Sequence, residues 1–301
     1  MLDYTSLAVL SAVVREGSFE RAARTLHVTP SAVSQRIRLL EEFIGGALII
    51  RGQPCIATET GRRLCQHVDQ VRLLEHELQK SVPTVMSSDQ EAPSRVPLPI
   101  AVNADSLATW FAPAMSAFAA TAPVLMDVAV DDQDHTAEWL RTGTVLAAVT
   151  SSAQAASGCN SRSLGAMRYL AAASPAFKER YFAQGVNTST LAQAPSLVFN
   201  SKDELQTRWV RRLCHRHVEL PRHTLPATHA FVAAAAGGMG WGLHPQAMIQ
   251  DHLKNGTLVE LVPDTPLDVP LYWQQARSAS SLLDGLTRAV MNAASSTLLQ
   301  L

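Results

Sequence analysis

No run of the 301 residues comes near the ~18 consecutive apolar side chains that a membrane helix needs. Nor is there a basic leader: Asp3 stands where a secretory signal would carry Lys or Arg, so a cytoplasmic protein with no membrane partner is expected. On that reading the sequons at Asn187 and Asn255 never meet glycosylation machinery. Cysteine is scarce. Cys55, Cys65, Cys159 and Cys214 form no C-x-x-C pair, which points to reduced, buried thiols and excludes a disulfide framework. The signatures G-x-S-x-G, H-E-x-x-H and Walker A are all absent, so hydrolase, metalloprotease and NTPase chemistry have no support. Neither an enzyme nor a cofactor is expected. The run from Gly237 to Gly242 fails the dinucleotide-loop spacing and follows a helix instead of a strand, so it reads as a helix cap and close-packing turn. Cys214-His-Arg-His217 and His223 carry metal-capable atoms, but His215 and His217 would face different sides of a helix, and no metal site is expected.

What the chain does contain is 47% hydrophobic residues at a mean hydropathy of +0.05, a globular composition with room for two or three domains. The net charge of −1 says little about partners; its distribution says more. Residues 1–65 hold eight Arg and no Lys against six acids, a surplus of +2, while the remainder is slightly acidic. Within this basic start, Leu7, Leu10, Ala12, Val13 and Val14 predict a helix stopped by Gly17. Ser18 then caps a second helix with Phe19, Ala22, Ala23 and Leu26 at helical spacing. Thr29 caps a third, with Pro30 in its first turn, Val33, Ile37 and Leu40 as its buried stripe and Gly45-Gly46 as its end. This is a helix-turn-helix pattern, in which the N-terminal side chains of the second paired helix reach base edges in the major groove. Thr29, Pro30, Ser31, Ser34, Gln35 and Arg38 occupy that position here. Gln pairs with adenine and Arg with guanine or phosphate, and Arg36 reads as a phosphate contact. Residues 47–51 and 55–58 then read as two short strands of a wing that carries Arg51 toward the minor groove or a phosphate.

Phe19-Glu-Arg-Ala-Ala-Arg-Thr-Leu26, Thr29-Pro-Ser-Ala-Val-Ser-Gln-Arg-Ile-Arg-Leu-Leu-Glu41 and Thr58-Glu-Thr-Gly61 resemble the winged helix-turn-helix of LysR-type transcriptional regulators. The resemblance spans the chain, because Ala101-Val-Asn-Ala-Asp-Ser-Leu-Ala-Thr-Trp110 and Leu271-Tyr-Trp273 are similar to the ArgP/LysG branch, also called IciA. It implies a regulator of basic amino acid export that binds double-stranded DNA, works with RNA polymerase, and assembles as a homodimer or a homotetramer of paired dimers.

Residues 59–80 read as one helix about 33 Å long. Leu64, His67, Val71, Leu74 and Leu78 fit a short heptad run. Pattern alone allows a surface helix equally well; the resemblance implies a dimerisation linker that spaces two DNA half-sites about 34 Å apart. The winged helix-turn-helix is thus expected over 1–58, the linker helix over 59–80 and a Ser/Pro-rich hinge over 81–97. Beyond it, short apolar runs alternate with helical stretches, which argues for parallel strands and crossover helices. A second series is expected from Gly165, with its first strand at 168–172. Two α/β lobes resembling periplasmic binding proteins follow, lobe I from 98–163 and 266–301 and lobe II from 164–265.

Open α/β sheets bind ligands past the carboxyl ends of their strands. A free amino acid there needs donors for its carboxylate and acids for its cations. Ser106 and nearby N–H groups suit the carboxylate, and Asn103, Asp105, Asp131, Asp132 and Asp134 suit cationic groups. Trp110 is placed to stack on the ligand. Thr150, Asn200, Thr228 and Phe231 stand at equivalent ends further along. Where the branch implies Thr/Ser-Glu-Ala-Phe, this chain has Thr228-His-Ala-Phe231, and His229 in place of a carboxylate puts lysine or arginine as effector in question. Two other readings remain. One is a stand-alone amino-acid-binding protein, against which the basic start argues. The other is a sequence-tolerant architectural or replication-initiation DNA binder of the IciA kind.

Overall fold

The computed structural model describes residues 2–81, 97–121, 124–130 and 136–300. It forms two compact units, one of Met1–Val96 with Thr142–Thr144 and the other spanning Pro97–Arg141 and Val145–Leu301.

In the first unit, helix caps set the element boundaries. Asp3 accepts from Thr5 N and Ser6 N and opens α1 (Tyr4–Glu16), which Gly17 closes at φ +62°. Ser18 accepts from Arg21 N at the head of α2 (Phe19–Thr25). Thr29 accepts from Ala32 N at 3.2 Å, with Pro30 as first residue of α3 (Pro30–Ile44), and Gly45 ends it at φ +81°. Leu7, Leu10, Val13, Ala22, Ala23, Val33, Ile37 and Leu40 meet in one core. Each fully buried Leu, Ile or Val there contributes about 1.5–3 kcal/mol. Two short antiparallel strands, β1 (Ile49–Ile50) and β2 (Ile56–Ala57), make the wing. The long helix α4 (Glu59–Ser81) follows; Gly61 in its first turn is needed because a Cβ there would stand 2.1 Å from Leu48 O. Val68 packs into the same core. The expected heptad positions Leu74 and Leu78 lie outside the described side chains, and the expected hinge lies largely outside the described residues.

The second unit opens with β3 (Leu98–Val102) and a helical run made of α5 (Ala104–Ser106), a π turn (Leu107–Phe111) and α6 (Ala112–Ala119). Then come β4 (Met126–Val130), α7 (Thr136–Thr142), β5 (Ala147–Thr150) and the long β6 (Cys159–Ala173). α8 (Pro175–Phe182), α9 (Thr188–Leu191), β7 (Ser196–Val198), α10 (Leu205–Cys214), β8 (Arg222–Thr224), α11 (Thr228–Ala236), β9 (Gly242–Pro245) and α12 (Gln246–Lys254) follow. β10 (Val259–Glu260), β11 (Leu267–Ala276) and α13 (Ser280–Thr297) complete it.

β3 pairs in parallel with β4 and β5, as the alternation of strands and helices predicts. Elsewhere the sheet is mixed: β11 runs antiparallel to β5 and β6, and β9 and β10 run antiparallel to β6. The strand expected at 168–172 begins at Cys159. Gly165 does not break it, because at φ +107° this residue sits where the β6–β11 register shifts, and the strand continues on either side. β11 thereby joins β5 to β6, and β6 in turn pairs with β9 and β10 in one seven-stranded sheet. Trp209, Trp241, Trp273 and Phe111 are buried, and Trp273 Nε1 donates to Thr287 Oγ1 at 3.0 Å. Gly237 caps α11, while a Cβ at Gly240 or Gly242 would strike Pro195 O or the Phe231 ring, which is the close packing expected of that run. α10 stops at Cys214 and His215 turns to φ +53°, so His215 and His217 do not share a helix as the sequence suggested.

Candidate functional site

On α3 the structure presents the exposed first turns in the expected order. Thr29 Oγ1 and Ser31 Oγ share a 2.9 Å hydrogen bond at the helix start, beside exposed Pro30. Ser34 and Arg36 are half-buried and Gln35 is exposed. Arg38 is exposed and donates Nε to Glu42 at 2.9 Å one turn on. Arg51 on the wing lies 5.3 Å above the Phe19 ring. Together with Arg21 and Arg24 of α2 it lines a groove of about 720 Å³, which also holds Glu20. Arg21 and Arg24 entered the sequence reading only as charge; what identifies them is that the wing folds back beside α2.

In the second unit a cavity of about 560 Å³ opens past the carboxyl ends of β3 and β7. Of the expected ligand contacts it gathers Asn103, Asp105, Asn200, Thr228 and Phe231. Others lie outside its lining. Ser106 is fully buried, Thr150 is buried with its hydroxyl accepting from Ser152 N at 3.1 Å, and His229 is exposed. Trp110 is buried, edge-on to Phe111 with centroids 5.6 Å apart, because the π turn rotates it away from the face that carries Asn103. Asp131, Asp132 and Asp134 lie outside the described residues.

The cavity also collects residues that the sequence reading did not select: Tyr169, Lys202, Asp203, Glu204, Arg208 and His244. Tyr169 on β6 donates to Asp105 Oδ2 at 2.9 Å. Burial pushes the Asp105 carboxyl above its usual range, and the Tyr169 hydrogen bond opposes that rise. The buried Tyr169 phenol is itself pushed well up, by burial first and then by the Asp105 charge, so it stays a donor. Asp203 is an organiser: its Oδ2 accepts from Phe199 N and its Oδ1 from Leu205 N, fixing the turn into α10. Asn200 Oδ1 accepts from Lys202 N and Asp203 N in the same turn. His244 on β9 is fully buried and lies edge-on to Phe231 at 5.2 Å. Burial lowers its pKa to about 3, so the ring is neutral near pH 7. Asn103 Oδ1 is buried with no hydrogen-bond partner among the described residues. Acids following a strand end could have flagged Asp203 and Glu204, as they flagged residues 131–134. Tyr169 and His244 carry no such signal. The wall therefore offers carboxylates and cations around an apolar patch of Phe231, Val232, Leu243 and Pro245, a suitable enclosure for a small zwitterion.

Residues 4–62 match the bacterial regulatory helix-turn-helix proteins of the lysR family, and residues 93–295 match the LysR substrate binding domain. The HTH-type transcriptional regulator ArgP of Pseudomonas aeruginosa is 46% identical over 97% of this chain and 95% of its own length. The crystal structure of ArgP from Mycobacterium tuberculosis is similar at 41% identity and a TM-score of 0.82, with complete coverage of both chains. Full-length LysG from Corynebacterium glutamicum, solved with bound effector Arg, shares 36% identity at a TM-score of 0.70, covering 99% of this chain and 100% of that one. The chain is therefore a LysR-family transcriptional regulator of the ArgP/LysG branch, built from a DNA-binding helix-turn-helix and an effector-binding domain.

Proposed function

We propose that this regulator senses a basic amino acid, arginine or lysine, in the cavity around Asp105, and controls a gene for basic amino acid export. The carrying observation is that cavity: Asp105 and Glu204 offer carboxylates for the ligand's cations, and Lys202 and Arg208 offer charge for its carboxylate. The similar LysG with bound Arg supports the choice of ligand. His229 does not weigh against it, because that side chain is exposed and outside the lining. Asn103, Asn200, Thr228 and Phe231 complete the contacts.

On DNA, Ser34 and Gln35 read base edges, Thr29, Pro30 and Ser31 set the helix start, and Arg36, Arg38 and Arg51 hold phosphates. Lobe I (98–163 and 266–301) and lobe II (164–265) close around the ligand. Closure shifts how paired subunits, a homodimer or homotetramer joined through α4, space their DNA-binding modules for RNA polymerase in the cytoplasm. An effector binding both arrangements equally would regulate nothing. The test is DNase footprinting on the promoter of the exporter gene with and without 5–10 Kd of arginine, a range set by calorimetry. A changed footprint length or affinity supports the reading. An unchanged footprint with bound arginine refutes it. Equal affinity for unrelated duplexes at fixed salt would instead favour the architectural DNA binder.

A further inference from the structure

The arginines of the first unit divide by their partners. Arg38 pairs with Glu42, and Arg62 and Arg63 pair with Glu59. Arg21, Arg24 and Arg51 are exposed, and among the described residues none of them makes an ion pair. Yet these three meet around the groove of about 720 Å³ between α2 and the wing.

Local structure holds them there. Gly17 turns the chain from α1 into α2 at φ +62°, and its carbonyl accepts from Cys55 N at 2.8 Å, which ties the wing to the start of α2. A Cβ at Gly17 would stand 2.8 Å from Pro54 Cβ and 3.4 Å from an Arg21 guanidinium nitrogen, so glycine lets the wing and Arg21 approach each other. The Arg51 guanidinium rests 5.3 Å above the Phe19 ring, which restricts that side chain before any partner arrives. Arg21 and Arg24 stand three residues apart on α2 and share one of its faces. Glu20 is the one carboxylate of the lining, and its Oε2 accepts from Ser18 Oγ at 2.7 Å. The groove therefore carries three guanidinium charges against one carboxylate.

This chemistry suits a phosphate backbone better than bases. Guanidinium forks match phosphate oxygens bidentately. Phe19, the one aromatic residue of the lining, is taken up by the core and by Arg51, which leaves no platform for stacking a base. The first helix of a helix-turn-helix pair crosses the DNA backbone, and α2 is that helix here.

We propose that Arg21, Arg24 and Arg51 form one clamp that grips phosphodiesters of the DNA duplex beside the bases read by α3, whatever their sequence. Arg51 then acts on phosphate together with α2, and not on base edges in the minor groove. The clamp rests on the DNA-binding half of the proposed function and needs no effector.

Full-length protein without effector is titrated, by fluorescence anisotropy across a salt series, into two duplexes of equal length. One is an operator selected on the wild-type protein from random sequence, and the other is unrelated. Arg21→Gln with Arg24→Gln is expected to weaken both duplexes by the same factor, about tenfold or more, and to lower the slope of log K against log salt by about two. Arg21→Lys with Arg24→Lys keeps the charge and is expected to keep the slope. Ethylation interference on the operator is expected to show phosphates whose modification blocks wild type but not the Gln variant, at positions different from those lost in Arg36→Ala. A slope and an ethylation pattern equal to wild type overturn the clamp. So does a lowered melting temperature with an unchanged slope, which makes the arginines structural, and so does a loss confined to the operator, which makes them base readers. If wild type binds both duplexes equally, the base readout assigned to α3 fails, while a slope that falls in the Gln variant still upholds the clamp.

Discussion

Tyr169 donates its phenolic hydrogen bond to Asp105 Oδ2 at 2.9 Å, joining β6 to the helical run after β3 across 64 positions of sequence. The bond holds a carboxylate in the cavity wall against the burial that works to neutralise it. Tyr169→Phe removes a hydrogen bond to a charged group, worth about 1.5–3 kcal/mol. Arginine affinity is expected to fall about tenfold or more, by calorimetry, with every other contact intact. Because the lost bond favours the charged form, the pH at which affinity rises is expected to move upward in the variant.

Asp105→Asn separates binding from stability. A carboxyl whose native pKa is raised stabilises the fold most below its unfolded pKa, and that contribution is lost as pH rises through the native value. At pH 7 the wild type carries the penalty and the amide does not. The variant is expected to melt higher than wild type at pH 7, with the difference shrinking toward pH 4, and to bind arginine at least tenfold more weakly. A lower melting temperature at pH 7 would show that the carboxylate stabilises the empty cavity.

His244 predicts the opposite pH dependence. With a native pKa of about 3 against the ordinary value of 6.5, the unfolded state binds more protons between those values, so stability falls as pH drops through that window. The slope approaches about 1.4 kcal/mol per pH unit. Urea denaturation of His244→Gln at pH 7, 5.5 and 4.5 is expected to show this component of the acid sensitivity removed.

On α3, readout and anchoring are expected to separate. Gln35→Ala and Ser34→Ala cost about 1–3 kcal/mol on the preferred operator and little on unrelated DNA. Arg36→Ala weakens all sequences alike and lowers the salt slope by about one. Competition binding at two salt concentrations distinguishes these outcomes; identical behaviour of all three variants would contradict the division.

The first unit was legible because its boundaries are written in local chemistry: Ser18 and Thr29-Pro30 start helices, and Gly17 and Gly45 end them. The strand-to-helix junction at Asn103–Asp105 was legible instead from the apolar run Leu98–Val102 giving way to polar residues, since Asn103 makes no capping hydrogen bond. Trp110 was misplaced because regular α spacing puts it on the Asn103 face, and the π turn at Leu107–Phe111 adds a residue that rotates it by about 100°. Tyr169 and His244 were missed because they sit inside apolar strand sequences. Which of their side chains faces the cavity depends on the register that sets Tyr169 opposite Pro245 and Leu170 opposite His244, and no local signal encodes that pairing. Likewise, Gly165 read as an end of one element because a glycine in a strand resembles a turn, whereas here it accommodates the C-terminal segment.

The most direct test of the central claim is a thermal-shift screen of the purified full-length protein against the twenty amino acids. A ligand that binds only the folded state stabilises it by about 2.7 kcal/mol at a hundred times its Kd. The account predicts that arginine or lysine raises the melting temperature, that neutral and acidic amino acids do not, and that Asp105→Asn abolishes the response. Stabilisation by a neutral amino acid instead, or an arginine response that Asp105→Asn leaves unchanged, would contradict it.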